Sequence, residues 1–221
     1  MYKKAGFFSV ALICTLFFQI FAQSTHYQGF LFDKFEKGKI IYKTRGQTSE
    51  GWFNYDCINE KVLFVIQDTV ILELDRTDIV SELIIHDRIF EHIGKGIFYE
   101  KVKVGENFLY VRRKTRLIYE ENEGGYGTRP TTGAIDRVNQ INSMGSLYVF
   151  NTKNDYNLIS ENIYYLKDNK GFNHFSSFDS LAKLFNSCQG RIKTYVKNNQ
   201  FNFSVLDDII KVVNYAFETC K

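Results

Sequence analysis

The sequence predicts a mainly β protein with a C-terminal helical appendage, α+β overall. Between about Gly38 and Tyr119, short apolar and β-branched runs alternate with turn residues at close spacing. No segment between these runs is long enough for the helix that a parallel crossover needs, so neighbouring strands are expected to pair as antiparallel hairpins. From Ser177 onward, the apolar residues recur with the period of a helix instead.

The chain begins with the features of an export signal. Lys3 and Lys4 precede an apolar stretch that runs to Phe18, and the small residue Ala22 ends the segment. This stretch is shorter than the roughly 20 apolar residues of a membrane helix. We therefore expect residues 1–22 to be a signal peptide, with a retained anchor as the alternative. The mature chain is then exported, to the periplasm, the outer membrane surface or the medium.

The mature chain has almost no net charge. The full chain has 28 basic and 25 acidic residues, and loss of Lys3 and Lys4 with the signal leaves 26 basic residues and a formal charge of +1. Nucleic-acid-binding proteins usually carry a strong basic excess, so we do not expect a nucleic-acid partner. With 44% apolar residues and no second long apolar segment, the mature chain should have a substantial core and no transmembrane helix.

The β body is expected over residues 23–150, as an antiparallel meander that closes into a barrel, roll or sandwich. Its strands are predicted in KIIYKT, GWFNY, VLFVI, VILEL, ELIIH, RIFEHI, IFYEKVKV, NFLYVRRKTRLIY and LYVF. The eighth run is interpreted as one strand from Asn107 to Tyr119. Residues 121–146 form a glycine-rich connector that contains GGYGTRPTTG. A ligand-contacting loop is an alternative, but a phosphate loop would need a Gly-Lys-Ser/Thr ending that is missing here.

Residues 151–221 are expected to hold short strands followed by the helices. The strands are predicted in YNLIS, NIYYLK and FNHF. Ser177 is expected to cap a first helix, and a second is expected to reach about Asn199. Ser204, with Asp207 three residues later, resembles a capping box and predicts the start of a third helix.

Three cysteines remain after removal of the signal: Cys57, Cys188 and Cys220. An oxidising compartment permits disulfides, and Cys188 and Cys220 can join two helices if their Cα atoms come within about 7 Å. Whether they do is left open by the sequence. Cys57 lies beside a turn and is expected to be a small buried residue rather than a nucleophile.

The most informative stretch is IFYEKVKVGENFLYVRRKTRLIY. If Gly105-Glu106 is a two-residue hairpin turn, the apolar side chains fall on one face and basic and aromatic side chains on the other. The second face is the candidate ligand-binding surface, with Tyr99, Lys101, Tyr110, Arg112, Lys114 and Arg116. Arginine side chains match carboxylates and phosphates, so an envelope polysaccharide, lipid head groups or an acidic protein are the candidate partners. The alternative is a solvated face whose charges are neutralised by acids on a neighbouring strand.

Other candidate sites are weaker. His86, Asp87, Glu91 and His92 cluster in sequence but match no known metal-ligand spacing, so we interpret them as surface turn residues and expect no metal or cofactor. No serine or cysteine lies in a nucleophile motif, so we assign no catalytic residue.

Two further features have both a structural and a functional interpretation. Glu120, Glu121 and Glu123 form an acidic run that is a solvated loop or, alternatively, supplies catalytic carboxylates. Trp52 shares a strand face with Asn54 and is either a half-buried core residue, which we expect, or a sugar-stacking residue.

Loose motifs along the mature chain resemble a group of uncharacterised exported proteins of the Bacteroidota. The matching residues lie in the strand pair IIYKTRGQTSEGWFNYDCINEKVLFVI, around Phe53, Asn54 and Tyr55, in GGYGTRPTT, and in the helical tail that contains SSFDSLAKLFNSC and SVLDDIIKVVNYAF. The resemblance implies export and a similar architecture. It implies no activity and no role for any residue.

These observations favour an exported, non-catalytic binding or interaction protein of the cell envelope. Its contact surface would be the face that carries Tyr99, Lys101, Tyr110 and the three following basic residues. A small secreted hydrolase of carbohydrate or peptide, with carboxylates near Glu120, is the alternative from another class, and a scaffold without any ligand is the third.

Overall fold

The structure is a computed structural model that describes residues 29–67, 70–119, 140–143, 146–149 and 156–220. The strands in these residues are β1 (Glu36–Tyr42), β2 (Thr48–Asp56), β3 (Lys61–Ile66), β4 (Val70–Glu73), β5 (Val80–Ile85), β6 (Arg88–Gly94), β7 (Ile97–Val104), β8 (Asn107–Arg112), β9 (Thr115–Tyr119), β10 (Gln140–Ser143), β11 (Ser146–Val149), β12 (Tyr156–Ser160), β13 (Ile163–Asp168) and β14 (Gly171–Phe175). The α-helices are α1 (Phe178–Leu184), α2 (Gln189–Asn199) and α3 (Leu206–Thr219).

One ten-stranded sheet dominates the described residues, in the order β14-β13-β8-β7-β6-β5-β1-β2-β3-β4. Every neighbouring pair is antiparallel. The predicted mainly β fold with a C-terminal helical part is therefore confirmed. The sheet is not closed into a barrel, and β13 and β14, which the sequence grouped with the C-terminal part, extend this sheet next to β8.

Gly38 explains how closely β1 packs between its neighbours β2 and β5. A Cβ atom at this position would lie 2.4 Å from the Ile84 carbonyl oxygen and 2.8 Å from the Phe53 ring. Both distances are below any normal contact, so only glycine permits this approach.

The first half of the sheet encloses an apolar cluster that we call the strand core. Its buried members come from β1 to β3, β5, β6 and β7 and from the turn after β2: Ile40, Phe53, Tyr55, Cys57, Val62, Val80, Leu83, Ile85, Phe90 and Phe98. Asn54 fixes the segment before β1, because its amide donates to the Phe32 and Lys34 carbonyl oxygens at 2.8 and 3.2 Å. This fully buried polar side chain is thus satisfied by backbone groups.

The second half of the sheet packs against the helices and forms the helix–sheet core. Its buried members are Val104, Leu109, Val111, Tyr164, Leu166, Phe175, Leu181, Ala182, Cys188, Ile192, Ile209, Val212, Val213 and Ala216. Alternation along the strands puts these strand residues on the face that also carries the strand core. The helices therefore cover one face of the sheet and leave the other uncovered by any described helix.

The ends of the helices agree only partly with the sequence prediction. Ser177 caps α1 as predicted, and its hydroxyl accepts the Ser180 backbone N–H. The capping box predicted at Ser204 is wrong, because Val205 occupies the N-cap of α3 and makes no side-chain cap bond. Instead the Ser204 N–H donates to the Asn202 side chain at 2.9 Å. The local sequence is compatible with an N-cap at Ser204 or at Val205. The conformation of the loop before α3 places the N-cap at Val205.

Cys188 and Cys220 form a disulfide, with their Cα atoms 5.7 Å apart. The bond joins the segment before α2 to the end of α3. Cys57 is a free, buried thiol, as predicted for a small buried residue. None of the described helices combines the length and apolar character required to span a bilayer.

Candidate functional site

The hairpin of β7 and β8 has the predicted register. Val104 pairs with Asn107 and Lys101 with Tyr110, on either side of the turn at Gly105. Tyr99 and Arg112 lie two residues further along their strands and share the face of Lys101, because strand side chains alternate. The structure thus brings four of the six predicted site residues onto one face of the sheet.

Aromatic rings from β7, β8, β13 and β14 pack together on this face, and we call them the aromatic cluster: Tyr99, Tyr110, Tyr165 and Phe172. Tyr99 stacks on Tyr165 with 4.8 Å between ring centroids. Phe172 meets Tyr99 edge-on at 5.4 Å and Tyr110 at 5.0 Å. Tyr99 and Tyr110 are buried in the cluster, at 9% and 5% exposure, while Tyr165 and Phe172 remain half-buried.

Glu91 is the acidic centre of the same face. Its carboxylate accepts the Lys167 ammonium at 2.7 Å and the Tyr110 hydroxyl at 3.1 Å, and Lys101 lies 3.8 Å away. Burial raises the pKa of Glu91, but the bonds from Lys167 and Tyr110 and the charge of Lys101 outweigh it and hold the pKa below its usual value. Burial and the nearby Glu91 raise the pKa of Tyr110, so this phenol stays neutral and donates.

The two predicted cations on this face, Lys101 and Arg112, are also paired. Lys101 lies 3.4 Å from Glu82. Arg112 donates two bonds to Glu60, at 2.5 and 2.9 Å. This paired geometry and the charge of Glu60 raise the Arg112 pKa against the opposing effect of burial. Both predicted cations are therefore neutralised by acids from elsewhere in the chain.

Lys114 and Arg116 do not lie on this face. The predicted strand from Asn107 to Tyr119 is wrong as a single element, because β8 ends at Arg112 and β9 pairs with β12 in a separate two-stranded sheet. Arg116 forms an ion pair with Glu161 at 2.6 Å. The Lys114 backbone N–H donates to the Asn162 side chain at 3.3 Å.

Arg113 is the first residue after β8. Its side chain turns to the helix-covered face and binds Glu100 at 2.5 Å. Arg88 binds the same carboxylate through two bonds of 2.6 Å. We call Arg88, Glu100 and Arg113 the ion triad. The next residues leave the sheet, and the Thr115 N–H donates to the Cys57 carbonyl oxygen at 2.8 Å.

We define the basic–aromatic face by its observed members, which include residues from β13 and β14 that the sequence did not assign to it: Tyr99, Lys101, Lys103, Phe108, Tyr110, Arg112, Tyr165, Lys167 and Phe172. Lys167 lies over the Phe172 ring at 5.0 Å, and Lys101 lies over Phe108 at 4.6 Å. Lys103 is exposed and forms no ion pair with any described residue. The face is therefore aromatic and nearly charge-balanced, with one unpaired ammonium among its described members.

The other sequence candidates are dispersed. His86 lies in the turn between β5 and β6, and Glu91 binds Lys167 of the basic–aromatic face. The described residues contain no group of three metal-type ligands. Burial raises the pKa of the Cys57 thiol to about 12, so this thiol is not an activated nucleophile. The connector and the carboxylates at Glu120, Glu121 and Glu123 lie outside the described residues.

The prediction that Trp52 is a half-buried core residue is wrong. Its side chain is 44% exposed, and the Lys37 ammonium lies 5.5 Å from its ring centroid. Asn54, its neighbour on the strand face, is fully buried. The Asn54 amide is therefore not accessible beside Trp52 to complete a sugar site.

The helical layer contains a groove that no sequence pattern predicted. It has a volume of about 510 Å³ and lies between α1, α2 and the loop before α3. We call it the helical groove, and its lining residues are Ser177, Phe178, Asp179, Lys193, Val196, Lys197, Phe201, Asn202 and Phe203. In the sequence, phenylalanines at these positions predict core packing. Only the structure shows that Phe178, Phe201 and Phe203 are half-buried around an open space.

Comparison with known proteins finds no matching family model, no matching curated protein and no matching solved structure.

Proposed function

We propose that the chain is an exported, non-catalytic binding module of the cell envelope, and that it contacts an anionic polysaccharide through the basic–aromatic face. The observation that carries this proposal is the aromatic cluster on the sheet face opposite both cores, with Lys167 over two of its rings. Half-buried rings such as Tyr165 and Phe172 offer apolar area to the C–H face of a sugar. Ammonium groups beside them supply partners for carboxylates.

Charge pairing sets the strength of binding. Lys101 and Lys167 share Glu91, so a ligand carboxylate competes with an internal one. Exposed ion pairs contribute only about 0.2–1 kcal/mol each. We therefore expect weak, salt-sensitive binding that depends most on Lys103, the unpaired ammonium among the described members of the face, and on Lys167.

Two further observations support the proposal. The disulfide between Cys188 and Cys220 suits an oxidising compartment and so supports export. The buried Cys57 thiol, with its raised pKa, is not a nucleophile. The carboxylates on which a hydrolase would depend lie outside the described residues, and no described feature favours that alternative.

Titration with polygalacturonate, followed by calorimetry at low and high salt, tests the proposal. Lys103→Gln and Lys167→Gln should each weaken binding about twofold to fivefold. Glu91→Gln should strengthen it, because this change frees Lys167 and leaves Lys101 paired with Glu82 alone, while the new amide still accepts the Tyr110 hydroxyl. Lys183→Gln on α1, in the helical layer, is the matched control and should have no effect.

Opposite signs for Lys167→Gln and Glu91→Gln are the signature of direct ligand contact. If the protein does not bind the polymer, or if Glu91→Gln leaves the affinity unchanged, the face is a structural surface and the proposal fails. Binding of anionic vesicles or of an acidic protein in place of the polysaccharide would also overturn it.

A further inference from the structure

The helical groove has an apolar floor of packed aromatic rings. Phe203 meets Phe178 edge-on at 5.2 Å, and it also packs against Tyr164 at 5.5 Å and Phe175 at 6.1 Å. Tyr164 and Phe175 belong to the helix–sheet core. The floor is thus an outward extension of that core, yet Phe178 and Phe203 are only half-buried.

The rim of the groove carries one paired and one unpaired ammonium. Lys193 of α2 binds Asp179 of α1 at 2.9 Å. The hydrogen bond from Lys193 and the charge of Lys193 hold the pKa of Asp179 below the usual value. Lys197 lies one helical turn beyond Lys193, is exposed, and forms no ion pair with any described residue. The rim therefore has a surplus positive charge beside an apolar floor.

We propose that the helical groove binds a small amphipathic carboxylate, with its apolar chain on the floor of Phe178, Val196 and Phe203 and its carboxylate at Lys197. The charge of the rim selects an anion. The volume of about 510 Å³ falls within the range of small-molecule sites, roughly 300–1,000 Å³. Because α1 and α2 cover the sheet face opposite the basic–aromatic face, this site is independent of the proposed polysaccharide surface.

Asp179 has a defined part in this site. Its carboxylate neutralises Lys193 and lies at the rim, where it repels a second carboxylate. Removal of its charge should therefore strengthen binding of an anion and leave binding of a neutral ligand unchanged. A merely apolar groove would not distinguish the two ligands.

The test uses octanoate and octanol, which have chains of the same length, and follows backbone amide NMR shifts of the full chain. Octanoate at up to about 1 mM should shift the amides of Val196 to Phe203. Lys197→Gln should weaken octanoate binding about twofold to fivefold, and Asp179→Asn should strengthen it by a similar factor. Lys95→Gln, in the exposed turn between β6 and β7, is the matched control, because Lys95 neither lines the groove nor affects the charge of Asp179.

Octanol binding should be unchanged in all three variants. Val196→Trp, which fills the floor, should abolish binding of both ligands. The inference is overturned if octanoate produces no shifts in these residues, if octanol binds as tightly as octanoate, or if Lys197→Gln and Asp179→Asn have no opposite effects. Loss of polysaccharide binding in Lys103→Gln has no bearing on this result, so the two proposals fail separately.

Discussion

The ion triad places a nearly buried carboxylate between two arginines. Glu100 sits on the inner face of β7 with its side chain 6% exposed, and Arg113 is 11% exposed. In the register of the sheet, Glu100 lies between Phe90 of the strand core and Val111 of the helix–sheet core. Buried charges are stable only when they are paired. Pairing within the triad therefore allows these three charges to lie where the two apolar clusters meet.

Glu100→Gln should lower the free energy of unfolding by about 3 kcal/mol at neutral pH, because it leaves the guanidinium groups of Arg88 and Arg113, which are 24% and 11% exposed, without their counter-charge. Burial raises the pKa of Glu100, but the bonds and charges of Arg88 and Arg113 outweigh it and lower the pKa. A carboxylate with a lowered pKa stabilises the fold above its unfolded pKa of about 4.3, and this stabilisation is lost as the pH falls through the folded value.

Urea unfolding at pH 7 and near pH 3 measures this effect. The difference between wild type and Glu100→Gln should be full at pH 7 and should shrink in acid. Glu106→Gln, at the exposed hairpin turn, is the control and should match wild type at both pH values. An equal difference at both pH values would show that packing, and not the charge of Glu100, is responsible.

At the scale of elements, local sequence determines the hairpin of β7 and β8, whereas contacts between distant residues determine the arrangement of the helical tail. The hairpin register follows from the turn at Gly105 and from alternation, both local features. The arrangement of α2 and α3 depends on the disulfide and on shared burial against the sheet. Tyr195 of α2 stacks on Tyr215 of α3 with 3.9 Å between centroids. This contact fixes how the two helices lie together.

The double substitution Cys188→Ala and Cys220→Ala should lower the free energy of unfolding by about 2–4 kcal/mol. The bond closes a loop with a sequence separation of 32, and chain-entropy arguments give about 4 kcal/mol for such a loop. Denaturation with and without a reductant is the measurement. Reduction should bring wild type down to the level of the variant and leave the variant unchanged. If reductant leaves wild type unaffected, the bond does not contribute to stability.

At the scale of the molecule, one continuous sheet connects the two cores. The strand core lies in its first half and the helix–sheet core in its second, with β7 contributing to both through Phe98 and Val104. Because neighbouring strands are hydrogen-bonded across the whole sheet, neither half can separate without exposing a strand edge. We therefore expect the described parts of the chain to unfold together.

Ile209→Ala in α3 tests this coupling. Ile209 is fully buried, so the change should lower stability by about 3 kcal/mol. Trp52, the only tryptophan of the chain, reports on β2 at the far side of the sheet, and helical circular dichroism reports on α1 to α3. Both signals should shift to the same lower midpoint in urea.

Val205→Ala, beside α3 at a position that is 44% exposed, is the matched control and should change stability by less than about 0.5 kcal/mol. A Trp52 transition that stays at the wild-type midpoint while the helical signal shifts would show two independent units.

The sequence by itself determined the features that depend on neighbouring residues. The change of period after Ser177, the turn at Gly105 and the alternation of β7 and β8 predicted the fold class, the cap of α1 and four members of the basic–aromatic face. Each rests on turn chemistry or on side-chain alternation, which act over a few residues.

Tertiary structure alone decided which charges meet. Arg112 finds Glu60 at a separation of 52 residues, and Lys167 finds Glu91 at 76. These pairings convert a basic strand face into a nearly balanced one, and Arg113 meets Glu100 of the neighbouring strand β7. Such contacts depend on strand order and on the packing of distant segments, which no local pattern encodes. For the same reason the helical groove, formed by residues from α1 to the loop before α3, is visible only once the helices are placed on the sheet.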